Sequence, residues 1–228
     1  MNLIDLPDWA RERGRAMNHF PALDAGGTAL VNIDMQTVFV AEDGLYATAH
    51  ARDIIANVNT LSRAMRSLGA PVIWTRQTHT AGGPFAPAAW QYDTSKPDVA
   101  AGVAALQAGA RGQGLADAME VELADVVIDK YRYGALSCPA GLLRQTLERL
   151  GTSMVVIAGV RTNCCCETTA REANMAGYKV IVASDATAAI TDAEHNAALL
   201  NLRLDFADVR STQEVLAMIH AAGAASDG

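Results

Sequence analysis

The chain has 228 residues, enough for one sizeable hydrophobic core, and its 50% hydrophobic and 19% charged content is ordinary for a soluble globular enzyme. A formal charge of -7 speaks against nucleic acid or an anionic membrane surface as the main partner, because both reward basic patches. The N-terminus carries no basic-then-apolar leader pattern and no apolar run is long enough to span a bilayer, so a cytoplasmic protein acting on a small molecule is expected.

In chain order, residues 1-25 read as an appended arm in which PDWA opens a short helical pattern, and residues 26-228 read as a single domain. Strands are predicted at 28-34 (TALVNID), 71-76 (PVIWTR), 125-130 (DVVIDK), 153-159 (SMVVIAG), 179-184 (KVIVAS) and, more weakly, 207-211 (ADVRS). Most are nearly continuous apolar runs, the pattern of parallel strands covered on both faces. Helical patterns fall between them, at 48-68, 138-150, 165-176, 192-204 and 212-222, with Gly69 and Gly177 marking two of their ends. The stretch 77-116 is rich in Gly, Pro and Ala and reads as loops with a short helix over the active face. Alternation of this kind specifies an α/β fold, a doubly wound, Rossmann-like, mainly parallel six-stranded sheet with helices on both faces.

Ligands of such sheets bind at the carboxyl ends of the strands, and three predicted strands end in reactive residues. The first ends at Asp34, the third at Lys130, and the fourth runs through VRTN into the thiols Cys164, Cys165 and Cys166. A carboxylate can take a thiol proton while an ammonium holds the charged pair, so an acid, a lysine and a cysteine in one cleft make a coherent nucleophilic machine. The cysteine run also sits at a strand-to-helix junction, where backbone N-H groups and the helix dipole favour a thiolate. Consecutive cysteines bridge only with strain, so reduced thiols are expected, and Cys138 ahead of Pro139 reads as structural.

Three separated motifs, VNIDMQTVF, VVIDKYRYGAL and AGVRTNCCCETTAREA, give the chain its resemblance to the isochorismatase-like cysteine hydrolase superfamily, which includes nicotinamidases, N-carbamoylsarcosine amidohydrolases and ureidoacrylate amidohydrolases. The resemblance covers roughly residues 26-222. It implies a catalytic triad of Asp34, Lys130 and Cys165, the cysteine being chosen by the family's Thr-x-x-Cys spacing counted from Thr162, with Cys164 and Cys166 left to packing. It implies a cis peptide between Val160 and Arg161 and an oxyanion hole from the backbone N-H groups of Arg161 and Cys165. The implied activity is hydrolysis of a C-N bond in a small amide, N-carbamoyl or ureido compound through a thioester, with release of ammonia or an amine, and the implied assembly is a homo-oligomer, a dimer or tetramer.

Phe39, Arg76, Trp90, Tyr131, Tyr133 and Thr162 are the candidate pocket residues, and Arg76, Arg132 and Arg161 are candidate partners for a substrate carboxylate. Nicotinamidases of the superfamily carry an Asp-x-His metal motif after the second strand. This chain reads WTRQTH there, ending at His79, and consecutive cysteines are not zinc spacing, so neither a catalytic metal nor another cofactor is expected. Two rivals remain: an isochorismatase-type vinyl ether hydrolase, which shares the fold but lacks the cysteine, and a thiol redox or assembly protein.

Overall fold

The computed structural model describes residues 1-226. Six strands, β1 (Thr28–Ile33), β2 (Val72–Gln77), β3 (Val126–Lys130), β4 (Met154–Val160), β5 (Lys179–Ala188) and β6 (Asp208–Arg210), form one all-parallel sheet in the order β3-β2-β1-β4-β5-β6. Every residue of β1 and β4 is buried, as continuous apolar strands covered on both faces require. The direction of winding reverses between β1 and β4, and that junction opens a crevice at the carboxyl ends of the strands.

Helices cover both faces. One core cluster packs α3 (Ile55–Ser67) and α8 (Thr212–Ser226) on the sheet, with Val58, Leu61 and Met65 one turn apart on the buried side of α3 and Val215 and Ile219 on that of α8. The other packs α5 (Leu142–Arg149), α6 (Glu167–Met175) and α7 (Asp192–Asn201), through Leu143, Leu147, Ala170, Ala173 and Leu199. Three further helices, Asp8–Arg15 in the arm, Thr37–Val40 after β1 and Pro97–Ala105 in the loop-rich stretch, are peripheral. The arm is fixed to the domain. Asn2 donates to Asp192 and accepts from the Ala189 N-H, Leu6 enters the second core cluster, and a Cβ on Gly14 would lie 2.1 Å from the Arg203 carbonyl oxygen.

Element edges differ from the sequence expectation for identifiable reasons. The expected helix 138-150 begins only at Leu142, since Pro139 lacks an N-H and Gly141 sits at φ 66°. The expected helix 165-176 begins at Glu167, because residues Thr162–Cys166 form a single π turn. Strand β5 continues beyond 184 past an irregularity and pairs Thr187 with Gly159 and Ala188 with Val160. Helix 48-68 resolves into a 3₁₀ turn at Ala49–Ala51 followed by α3. No described helix is long and apolar enough to cross a membrane.

Candidate active site

The chain makes a tight approach where β1 meets β4. Gly159 pairs with Ile33 at φ 109°, and a Cβ there would lie 2.0 Å from the Ile33 carbonyl oxygen, so only glycine lets the two strands end side by side. The next residue, Asp34, holds φ 50°, a left-handed conformation uncommon outside glycine and concentrated at functional positions. Surrounding bonds hold it there: the Asp34 N-H donates to the Thr75 carbonyl at 3.2 Å and the Thr75 hydroxyl donates to Asp34 Oδ1 at 2.8 Å.

Lys130, the last residue of β3, reaches across β2 into this corner and is buried. Its Nζ lies 2.8 Å from Asp34 Oδ2, 3.4 Å from Cys165 Sγ, 2.7 Å from Gln77 Oε1 and 3.0 Å from the Arg132 carbonyl oxygen. Burial pulls the ammonium's pKa down, but the Asp34 charge and the Cys165 sulfur more than reverse this and hold it above its ordinary value. The ammonium therefore stays charged and bridges acid and sulfur. Gln77 has its own support, since its N-H donates to Gln36 Oε1 while Gln36 Nε2 donates to the Gln77 and Gln113 carbonyls.

Cys165 is 7% exposed in the π turn that leads into α6, with Cys166 buried behind it. Both the Cys164 and Cys166 amides turn back to the Arg161 carbonyl. The Val160–Arg161 peptide is cis. The neighbouring Cys165 thiol, with the Lys130 charge adding to it, holds the Cys164 thiol below its ordinary value, whereas Cys164 and burial together push the Cys165 thiol well above its own, so the strand-to-helix junction does not by itself make Cys165 a thiolate. Burial, with the Asp34 charge adding to it, holds Cys166 well above the ordinary value, as befits a packing residue.

In front of these groups lies a cavity of about 350 Å³. It is lined by Gln77, His79, Gln91, Arg161, Cys164 and Cys165 and by the apolar and aromatic side chains of Phe39, Tyr46, Tyr92, Tyr133, Leu106 and Val160. The Tyr92 and Tyr133 hydroxyls are 2.8 Å apart, and burial raises the Tyr92 pKa, so the phenol stays neutral. His79 is buried with Nδ1 unpartnered, and desolvation, with Lys130 and Arg132 adding to it, lowers its pKa to about 4. At neutral pH the imidazole is uncharged. Among the described residues, no group of three or more His, Cys, Asp or Glu side chains is placed to hold a metal ion.

The structure sorts the other sequence candidates. Phe39 and Tyr133 line the cavity. Arg76 does not: its Nε donates to Asp129 at 2.8 Å, the opposite charge on the adjoining strand having captured it. Trp90 is 86% exposed, and Tyr131 stacks on Phe85 beside a smaller neighbouring cavity. Thr162 is fully buried at the start of the turn, its hydroxyl 2.8 Å from His195 Nδ1, and so supports the segment bearing Cys165 from behind. Cys164, expected to fill core space, is half-buried on the cavity wall because the π turn rotates it outward. Gln77 and Tyr46 were missed. Gln77 closes β2 at the same end of the sheet as Asp34 and Lys130 and could have been found from that position, whereas nothing in the sequence places the loop residue Tyr46 beside it.

A family model for the isochorismatase domain matches residues 28–214. The chain belongs to the isochorismatase family. Nicotinamidase 3 of Arabidopsis thaliana is 32% identical over 179 residues, 78% of this chain and 82% of that one. A ureidoacrylate amidohydrolase of Methylobacterium radiotolerans is 30% identical over 225 residues, 90% of this chain and 86% of its own. Among solved structures, a cysteine hydrolase from Pseudomonas syringae pv. phaseolicola superposes with a TM-score of 0.80 at 26% identity, over 90% of this chain and 97% of that one.

Proposed function

We propose that the protein is a cysteine-dependent amidohydrolase that cleaves a C-N bond of a small amide, N-carbamoyl or ureido compound through a thioester. The observation that carries this reading is the buried ammonium of Lys130 in contact with both the Asp34 carboxylate and the Cys165 sulfur, the sulfur itself lining a cavity sized for a small molecule. Relatives named as amidohydrolases and a nicotinamidase support the reaction class.

In this mechanism Asp34 removes the Cys165 proton and Lys130 stabilises the charges so formed. The thiolate attacks the substrate carbonyl, and the backbone N-H groups of Arg161 and Cys165 receive the developing oxyanion. The protonated Asp34 returns its proton to the departing nitrogen, which leaves as ammonia or an amine. Water, deprotonated by Asp34, then hydrolyses the thioester and frees the sulfur. A thiol sensor fits the site less well, because it leaves the Asp34 carboxylate and the Lys130 ammonium against the Cys165 sulfur without a role. The vinyl ether reading leaves Cys165 without a role.

The test is ammonia release from a panel of primary amides, N-carbamoyl acids and ureido compounds, by wild type and by Cys165→Ala. Wild type is expected to hydrolyse a member of the panel and to show an acyl adduct on Cys165 by intact mass with a slow substrate. Hydrolysis retained by Cys165→Ala sinks the proposal.

A further inference from the structure

We propose that Cys164 and Cys165 form a site of reversible oxidative modification, in which a hydroperoxide oxidises Cys165 and Cys164 closes a disulfide onto it before further oxidation can destroy that sulfur. The proposal adds to the amidohydrolase reading, on which only its activity readout rests.

The cysteines of the run are free thiols, and the π turn Thr162–Cys166 gives them different surroundings. Cys166 is fully buried in the core cluster that holds Ala170 and Ala173. Cys164 and Cys165 both line the cavity, and their thiols share a side-chain hydrogen bond. A small oxidant that enters the cavity therefore meets two sulfurs in contact, with the third out of reach. Packing at position 164 asks only for a small apolar side chain, so the second cavity thiol is chemistry beyond what the core requires.

What activates Cys165 for hydrolysis also activates it toward peroxide. Lys130 Nζ stands 3.4 Å from Cys165 Sγ and 2.8 Å from Asp34 Oδ2, so acid and ammonium together generate and hold the thiolate, the form that oxidants attack. A sulfenic acid left alone goes on to sulfinic acid, which thiols do not reverse, whereas one beside a second thiol condenses with it. In the first step the Cys165 thiolate attacks one oxygen of hydrogen peroxide, the O-O bond breaks, and the released hydroxide takes the proton that Asp34 had removed. Cys164 then attacks the Cys165 sulfur, the S-S bond forms, the S-O bond breaks, and the departing hydroxide takes the Cys164 proton. Two thiols and one peroxide become a disulfide and two waters. A dithiol reductant later restores both thiols and is itself oxidised to a disulfide. Cys164 suits the attacking role, because the Cys165 thiol and the Lys130 charge hold its own thiol below the ordinary value. Neighbouring cysteines bridge only with strain, and a strained disulfide is readily reduced, so the bridge is a temporary guard and the dithiol is the working state.

The experiment exposes wild type, Cys164→Val, Cys166→Val and Cys165→Ala to hydrogen peroxide. Ammonia release is measured before exposure, after it, and after dithiothreitol, each protein against its own untreated sample. In parallel, remaining thiols are alkylated under denaturing conditions and the tryptic peptide 162-171, which carries all three consecutive cysteines, is weighed. Wild type is expected to lose activity while this peptide loses two hydrogens and takes up a single alkyl group, on Cys166, and dithiothreitol should restore most of the activity. Cys166→Val should behave in the same way. Cys164→Val should lose its activity for good, with two oxygens added to the peptide. The inference is overturned by a Cys164→Val that recovers as fully as wild type, by a wild-type peptide that gains oxygen without forming a disulfide, or by a Cys166→Val that no longer recovers. A disulfide formed within the peptide of Cys165→Ala overturns it as well. Hydrolysis surviving in Cys165→Ala would instead remove the cysteine mechanism, and the peptide masses, which need no turnover, would still decide whether Cys164 guards Cys165.

Discussion

His195→Asn tests how the turn bearing Cys165 is held from beneath, and its effect on acid stability follows from the environment of His195. The side chain is fully buried on α7, and its Nδ1 contacts the hydroxyl of Thr162, the first residue of the turn that bears Cys165. Burial lowers its pKa from 6.5 to about 4, against the opposing pull of Asp192 and the Ser184 backbone. The sign is fixed by linkage: between those two values the unfolded chain binds a proton that the folded chain refuses, so stability is full above the unfolded pKa and falls as pH drops toward the folded one. For one such group the loss between about pH 8 and about pH 5 is on the order of 2 kcal/mol. Asparagine keeps an amide that can bond Thr162 and does not titrate. Urea unfolding at the two pH values, followed by tryptophan fluorescence, should show wild type losing about 2 kcal/mol more than His195→Asn. If both lose the same amount, His195 is not held neutral by the fold and the reasoning fails.

Lys130→Met leaves Asp34 buried without its counter-charge, and a urea titration should show a loss of about 3-5 kcal/mol, of which the double variant Asp34→Leu with Lys130→Met regains a large part. A double variant no more stable than Lys130→Met would mean that the stranded carboxylate is not the source of the loss. Trp90→Ala should change kcat/KM by less than about twofold on any substrate of the panel, because its side chain stands in solvent, and a tenfold loss would restore Trp90 to the site. Gly159→Ala, with its Cβ 2.0 Å from the Ile33 carbonyl oxygen, should lower stability by at least about 3 kcal/mol. Gly69→Ala, where nothing lies within 4 Å, should lower it by only about 1-2 kcal/mol, so similar losses at the two positions would contradict the close-approach argument.

The sequence by itself determined the sheet and the chemistry at its edge. Short, nearly continuous apolar runs such as TALVNI and MVVIAGV, bounded by glycine and turn residues, read as strands buried on both faces, and strands of that kind separated by helical patterns wind into a parallel sheet. Once that sheet is given, Asp34, Lys130 and the cysteine run fall at strand ends on one edge, because those positions are properties of strand length and register. What the tertiary structure decided is which side chain reaches which partner from positions that the sequence treats alike. Arg76 lies at the end of β2 and Arg161 directly follows β4, yet Arg76 meets Asp129 on β3 while Arg161 meets only neutral acceptors at Tyr46 and Thr48. Cys164 and Cys166 both flank Cys165, yet a π turn sends one to the cavity and the other into the core. Pairing and rotation of this kind depend on loops folded back over the sheet, and the physical reason they escape sequence reading is that a loop's path is set by where its side chains find partners far along the chain, not by any local period.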